Sequence, residues 1–83
     1  MTIGRLNIKN KLSTPESKAT VYINYSEEKR ILEVEFKGGK LYHYLGVETQ
    51  TWKNYKDLVI QGESSGSFVT THIKPFYKYK EIN

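Results

Sequence analysis

Residues 31–47, ILEVEFKGGKLYHYLGV, constrain this chain more than any other stretch, because they read as one β-hairpin. Leu32, Val34 and Phe36 recur at period two before Gly38-Gly39, and Tyr42 and Tyr44 recur at period two after it. Alternation on both sides of a glycine turn is the hairpin signature. How the turn closes decides which way the tyrosines face. A two-residue loop at Gly38-Gly39 puts Phe36 opposite Leu41 and turns Tyr42 and Tyr44 away from Leu32 and Val34, since a slip of one residue inverts a strand's faces. A three-residue loop of Lys37, Gly38 and Gly39, with Gly39 at positive φ, pairs Phe36 with Lys40, Val34 with Tyr42 and Leu32 with Tyr44. We take the second closure, which gathers five large apolar bodies on one face.

The flanking segments extend this face. Val21, Ile23 and Tyr25 alternate with Tyr22 and Asn24 and mark a strand upstream. A four-residue turn at Ser26-Glu27-Glu28-Lys29 sets Tyr25 opposite Arg30, Ile23 opposite Leu32 and Val21 opposite Val34. Downstream the period changes. Trp52, Tyr55, Leu58 and Val59 form a helical stripe over residues 48–61, with Thr49 as N-cap and Gly62 as the left-handed stop. The stripe covers the meander's apolar face, and Trp52 belongs to the core. Ser67 is expected to cap a short helix over residues 68–74 that ends at Pro75, with Phe68, Val69 and Ile73 against the sheet. Residues 1–16 are a basic arm or an edge strand, to which Ile3, Leu6 and Ile8 contribute. Residues 17–83 form a single domain. The expected class is α+β: a three-stranded antiparallel meander, open to extension by N- or C-terminal edge strands, covered on one face by an amphipathic helix and a short second helix.

Composition bounds what this fold can do. Eighty-three residues make a thin core, and with no cysteine neither a disulfide nor a thiolate zinc site can staple it. Seven tyrosines, three phenylalanines and one tryptophan supply the core's bulk. No apolar run is long enough to span a membrane, and the first residues lack the apolar region of a signal peptide. The expected location is cytoplasmic, without membrane, metal or cofactor.

The charge of +4 is uneven. Arg5, Lys9, Lys11 and Lys18 against Glu16 leave residues 1–18 at +3, and Lys74, Lys78 and Lys80 against Glu81 leave residues 74–83 at +2. The middle is near neutral. Basic ends suit an anionic partner, although lysine-rich termini are also ordinary solvated surface. In the tail, Lys74, Lys78 and Lys80 interleave with Tyr77 and Tyr79, a pattern that stacks exposed bases while lysines hold phosphates, or that forms a terminal edge strand. Gly62-Glu63-Ser64-Ser65-Gly66 matches G-x-S-x-G, but a nucleophile elbow needs a strand before the serine, and here a helix precedes it. Ser64, Gly66 and Ser67 remain candidates for an anion site, against the plainer reading of a structural cap. His43 and His72 have no catalytic partner and make no metal site.

Together, Val21-x-Ile23-x-Tyr25, Leu32-x-Val34-x-Phe36, Tyr42-His43-Tyr44, Ser64-x-Gly66-x-Phe68, Ile73 and Tyr77-x-Tyr79 resemble the KTSC domain. That family is named for its occurrence at the C-terminus of some lysyl-tRNA synthetases and also forms free-standing small proteins. The resemblance covers residues 17–79, with Tyr42, Tyr44, Ser64, Gly66 and Phe68 as its motif positions. It implies RNA binding by association with the synthetase, an analogy of context. Two functions therefore stand side by side. One is a nucleic-acid-binding module, RNA first, using Lys74, Lys78, Lys80, Arg5, Lys9 and Lys11 for phosphates and Tyr77 or Tyr79 for stacking. The other is a protein-interaction or self-association module, through an open sheet face carrying Tyr22, Ile31, Leu41, His43 and Leu45. No enzyme is expected, because no nucleophile–base pair or carboxylate pair can be named.

Overall fold

The glycine turn closes as the alternation predicts. Phe36 faces Lys40, Val34 faces Tyr42 and Leu32 faces Tyr44. Both Gly38 and Gly39 take positive φ, at 99° and 88°, which a side chain at either position would oppose. The computed structural model describes residues 6–82. Their fold is α+β, built on five antiparallel strands: β1 (Leu12–Ser13), β2 (Thr20–Ser26), β3 (Ile31–Phe36), β4 (Lys40–Leu45) and β5 (Tyr79–Ile82). Neighbours in sequence are neighbours in the sheet. Both optional edge strands are thus realised, the first at Leu12–Ser13 rather than around Leu6, because Ile8–Asn10 forms a 3-10 turn.

The register between β2 and β3 differs from the expectation by two residues: Tyr25 pairs with Leu32 and Ile23 with Val34. The turn occupies residues 27–30, and Arg30 absorbs the tight reversal at φ 54°. A shift of two preserves the faces, so Ile23, Tyr25, Leu32 and Val34 are buried together as expected. Val21 is the exception. The register breaks between Thr20 and Tyr22, and the bulge turns Val21 out to 42% exposure.

Helix α1 (Thr49–Ile60) lays Trp52 and Tyr55 on this face, with Leu58 and Val59 half-buried beside them. Trp52 stacks on Tyr25 at 5.4 Å between ring centroids. The N-cap is Glu48, not Thr49, and its side chain makes no capping bond; the Thr49 hydroxyl lies 3.5 Å from the Tyr25 hydroxyl instead. At the other end Gly62, at φ 81°, donates to the Val59 carbonyl and Glu63 to the Leu58 carbonyl, the paired bonds of a Schellman stop.

Helix α2 (Ser65–Phe68) begins a turn earlier than expected. Its cap is Ser64, whose Oγ accepts the Ser67 N–H at 3.2 Å, so the serine expected to cap is the one being capped. A π-helical turn, Val69–Ile73, carries the chain on and puts Val69 and Ile73 into the core. Buried Ser65 meets the Tyr55 hydroxyl at 2.5 Å, and Tyr55 stacks on Phe68 at 4.4 Å. These contacts tie the two helices together. No helix among the described residues is long and apolar enough to cross a membrane.

The opposite sheet face is closed, which corrects the expected open surface. Tyr22, Leu41 and His43 are buried, and Ile31 and Leu45 half-buried. Glu33, 1% exposed, sits at the centre of this face. It accepts from the Tyr22 hydroxyl at 2.8 Å and from the Leu6 N–H at 2.8 Å, and lies 2.7 Å from His43 Nε2. Asn24 reaches the Asn7 carbonyl, and Asn10 reaches the Tyr25 carbonyl. The arm is therefore bonded across the sheet by the polar atoms that would otherwise be stranded there.

Candidate nucleic-acid interface

The core centres on Trp52, Tyr55 and Phe68, and the half-buried Phe36 and Tyr42, packed against it, form its rim on β3 and β4. On that rim three rings follow one another across the strands. Phe36 meets Tyr42 edge-on at 5.3 Å, and Tyr42 meets Tyr79 edge-on at 5.0 Å. Phe36 and Tyr42 are half-buried, whereas Tyr79 is 59% exposed. The row follows from register: Val34, Tyr42 and Glu81 share a level, as do Leu32, Tyr44 and Tyr79, so all these side chains leave the same face. Tyr44, beneath the row, is buried; loss of solvent, with Tyr42 and Tyr79 nearby, pushes its hydroxyl up to about 12. Burial likewise raises Tyr55, partly opposed by its bond to Ser65.

The two tail tyrosines part company. Tyr77 precedes β5, packs half-buried against the core and bonds the Thr51 hydroxyl at 3.2 Å, which leaves Tyr79 as the exposed ring. The lysines separate too. Lys80 pairs with His43, and Lys78 is bonded to Leu45 through its carbonyl, so both side chains leave the face opposite Tyr79. Lys11 lies over the Tyr22 ring at 4.2 Å on that opposite face, and Lys9 belongs to the 3-10 turn packed on β2. Arg5 lies outside the described residues. Lys40 stands opposite Phe36 on the aromatic side, and Glu81 opposite Tyr42.

Beyond Phe36 the row opens into a groove of about 630 Å³. Lys18 and Lys74 line it, with the hydroxyl residues Ser64, Ser67, Thr70 and Thr71. Glu16 is the carboxylate in the lining. All three residues expected at an anion site border this groove, but Gly66 has a steric reason of its own. A Cβ there would lie 2.9 Å from the Ala19 Cβ, so glycine lets the helical segment close on residues 17–19. Lys18, Lys40, Phe36 and Tyr42 are the members of this surface that reasoning from the tail alone misses. The signal for the two rings lies in the hairpin, whose alternation puts both on one face.

A helix-covered antiparallel sheet, with a partly exposed aromatic row beside a groove lined by two lysines, defines a small α+β domain. The chain belongs to the KTSC family: the KTSC domain matches residues 16–79. A crystal structure of a KTSC domain protein from Yersinia pestis superposes with a TM-score of 0.70 at 31% identity, covering 81% of this chain and 89% of that one. Among curated proteins none matches significantly. Neither match links this chain to a synthetase.

Proposed function

We propose that this KTSC domain is a binding module, not an enzyme, and that it holds single-stranded nucleic acid, RNA first, along Phe36, Tyr42 and Tyr79. The observation that carries the reading is the continuity of these rings across three strands, ending at a groove lined by Lys18 and Lys74. Bases stack on aromatic side chains with little sequence preference, and lysines alongside neutralise the phosphates. Lys40, opposite Phe36, adds a cation at that end of the row, and Glu81, opposite Tyr42, is the charge that works against it. The rival partner, a protein or a second copy on the opposite face, is less well supported, because Tyr22, Leu41 and His43 are buried there. Location in the cytoplasm, where such strands occur, suits this role.

Fluorescence anisotropy with a short unstructured RNA tests it. With Lys18, Lys40 and Lys74 engaged, log affinity against log salt should have a slope of about −2. Tyr79→Ala should weaken binding about tenfold or more. Phe76→Ala, at a more exposed ring outside the row, should change it little. Affinity indifferent to Tyr79→Ala, or to salt, would overturn the proposal.

A further inference from the structure

We infer that the groove beside Phe36 is a nucleotide site, holding a phosphate between Lys18 and Lys74 with the base against the Phe36 ring. It deepens the strand-binding reading and rests on it for the continuity of base and strand, since Phe36 belongs to both surfaces.

Three observations point to a phosphate with something attached. Lys18 and Lys74 come from distant parts of the sequence yet line one groove, and they outnumber Glu16, the carboxylate of its wall. Ser17, also in the wall, is 3% exposed. Its Oγ accepts the N–H groups of Ala19 at 3.1 Å and Thr20 at 3.0 Å, which fixes the oxygen and leaves the hydroxyl proton to donate. That hydroxyl stands in the wall of a groove that two lysines make cationic. Finally, about 630 Å³ is far more than a bare phosphate fills and falls within the range of small-molecule sites, while the half-buried Phe36 ring gives one wall the apolar surface that a base requires.

The test is an NMR titration of the whole chain with three probes taken separately: uridine monophosphate, uridine and inorganic phosphate. The nucleotide should shift the amides of Ala19, Ser67 and Thr70 saturably, inorganic phosphate the same amides more weakly, and uridine none of them. Lys74→Gln and Lys18→Gln should each weaken nucleotide binding about tenfold, with the remaining spectrum unchanged as evidence that the variant is folded. Equal shifts from uridine and its monophosphate, or none from either, would overturn the site. A parallel titration with a short RNA separates the two readings. Shifts at Tyr42 and Tyr79 with silent groove amides would sink the groove and keep the strand platform; a saturable nucleotide site with Tyr79 unmoved by RNA would keep the groove and sink the platform.

Discussion

Gly66 shows how one missing atom sets the position of a helix. Its would-be Cβ falls on the Ala19 Cβ, and neither atom is the far end of a flexible chain. Gly66→Ala should therefore destabilise by about 1 kcal/mol or more in urea melts, overpacking outweighing the gain in helix propensity. Ala19→Gly in the same chain should restore part of the loss. The neighbouring serines were harder to read: Ser67 is the expected cap, but the helix starts earlier and Ser64 caps it. Ser64→Ala should cost about 0.5–2 kcal/mol, and Ser67→Ala close to nothing. Tyr44 gives a pH signature. Its proton is held more tightly when folded, so its contribution is intact below the ordinary tyrosine value of 10.0 and is lost as pH rises through about 12. Stability should fall over that interval, and Tyr44→Phe, which removes the titrating group but keeps the ring, should flatten the fall in alkaline urea melts.

At the scale of elements, the hairpin was legible because a glycine pair leaves few closures, and one of those puts every large apolar residue on the same side. The preceding turn was not. Glu27, Glu28, Lys29 and Arg30 carry no glycine or proline to fix it, and Arg30 takes a positive φ that composition does not advertise. The arm was illegible for a different reason. Its bonds to Glu33, Asn24 and Tyr25 join polar groups distant in sequence, and such pairing leaves no periodicity. A consequence can be measured. With an open second face, Leu41→Ala would be nearly silent beside Tyr44→Ala. Leu41 is instead 4% exposed, so Leu41→Ala should cost about 2–5 kcal/mol, comparable to about 3–5 for Tyr44→Ala. A loss below about 0.5 kcal/mol for Leu41→Ala would contradict the closed face.

Across the whole molecule, the basic ends visible in the sequence do not converge on one surface. Lys78, Lys80 and Lys11 leave one face of the sheet, while Lys18 and Lys74 meet in the groove on the other side of the fold. The interleaved tail singles out Tyr79 but not its neighbours in the row, because Phe36 and Tyr42 join it only through the registers of three strands. Periodicity identifies which face a ring leaves; it does not say where the covering helices stop. The half-buried rim is thus a property of the assembled sheet. The most direct measurement is an amide NMR map with short single-stranded RNA at moderate salt. Shifts should concentrate at Phe36, Lys40, Tyr42 and Tyr79 and be lost in Tyr79→Ala. Shifts confined to Lys9, Lys11, Lys78 and Lys80, with the aromatic rim unmoved, would contradict the account.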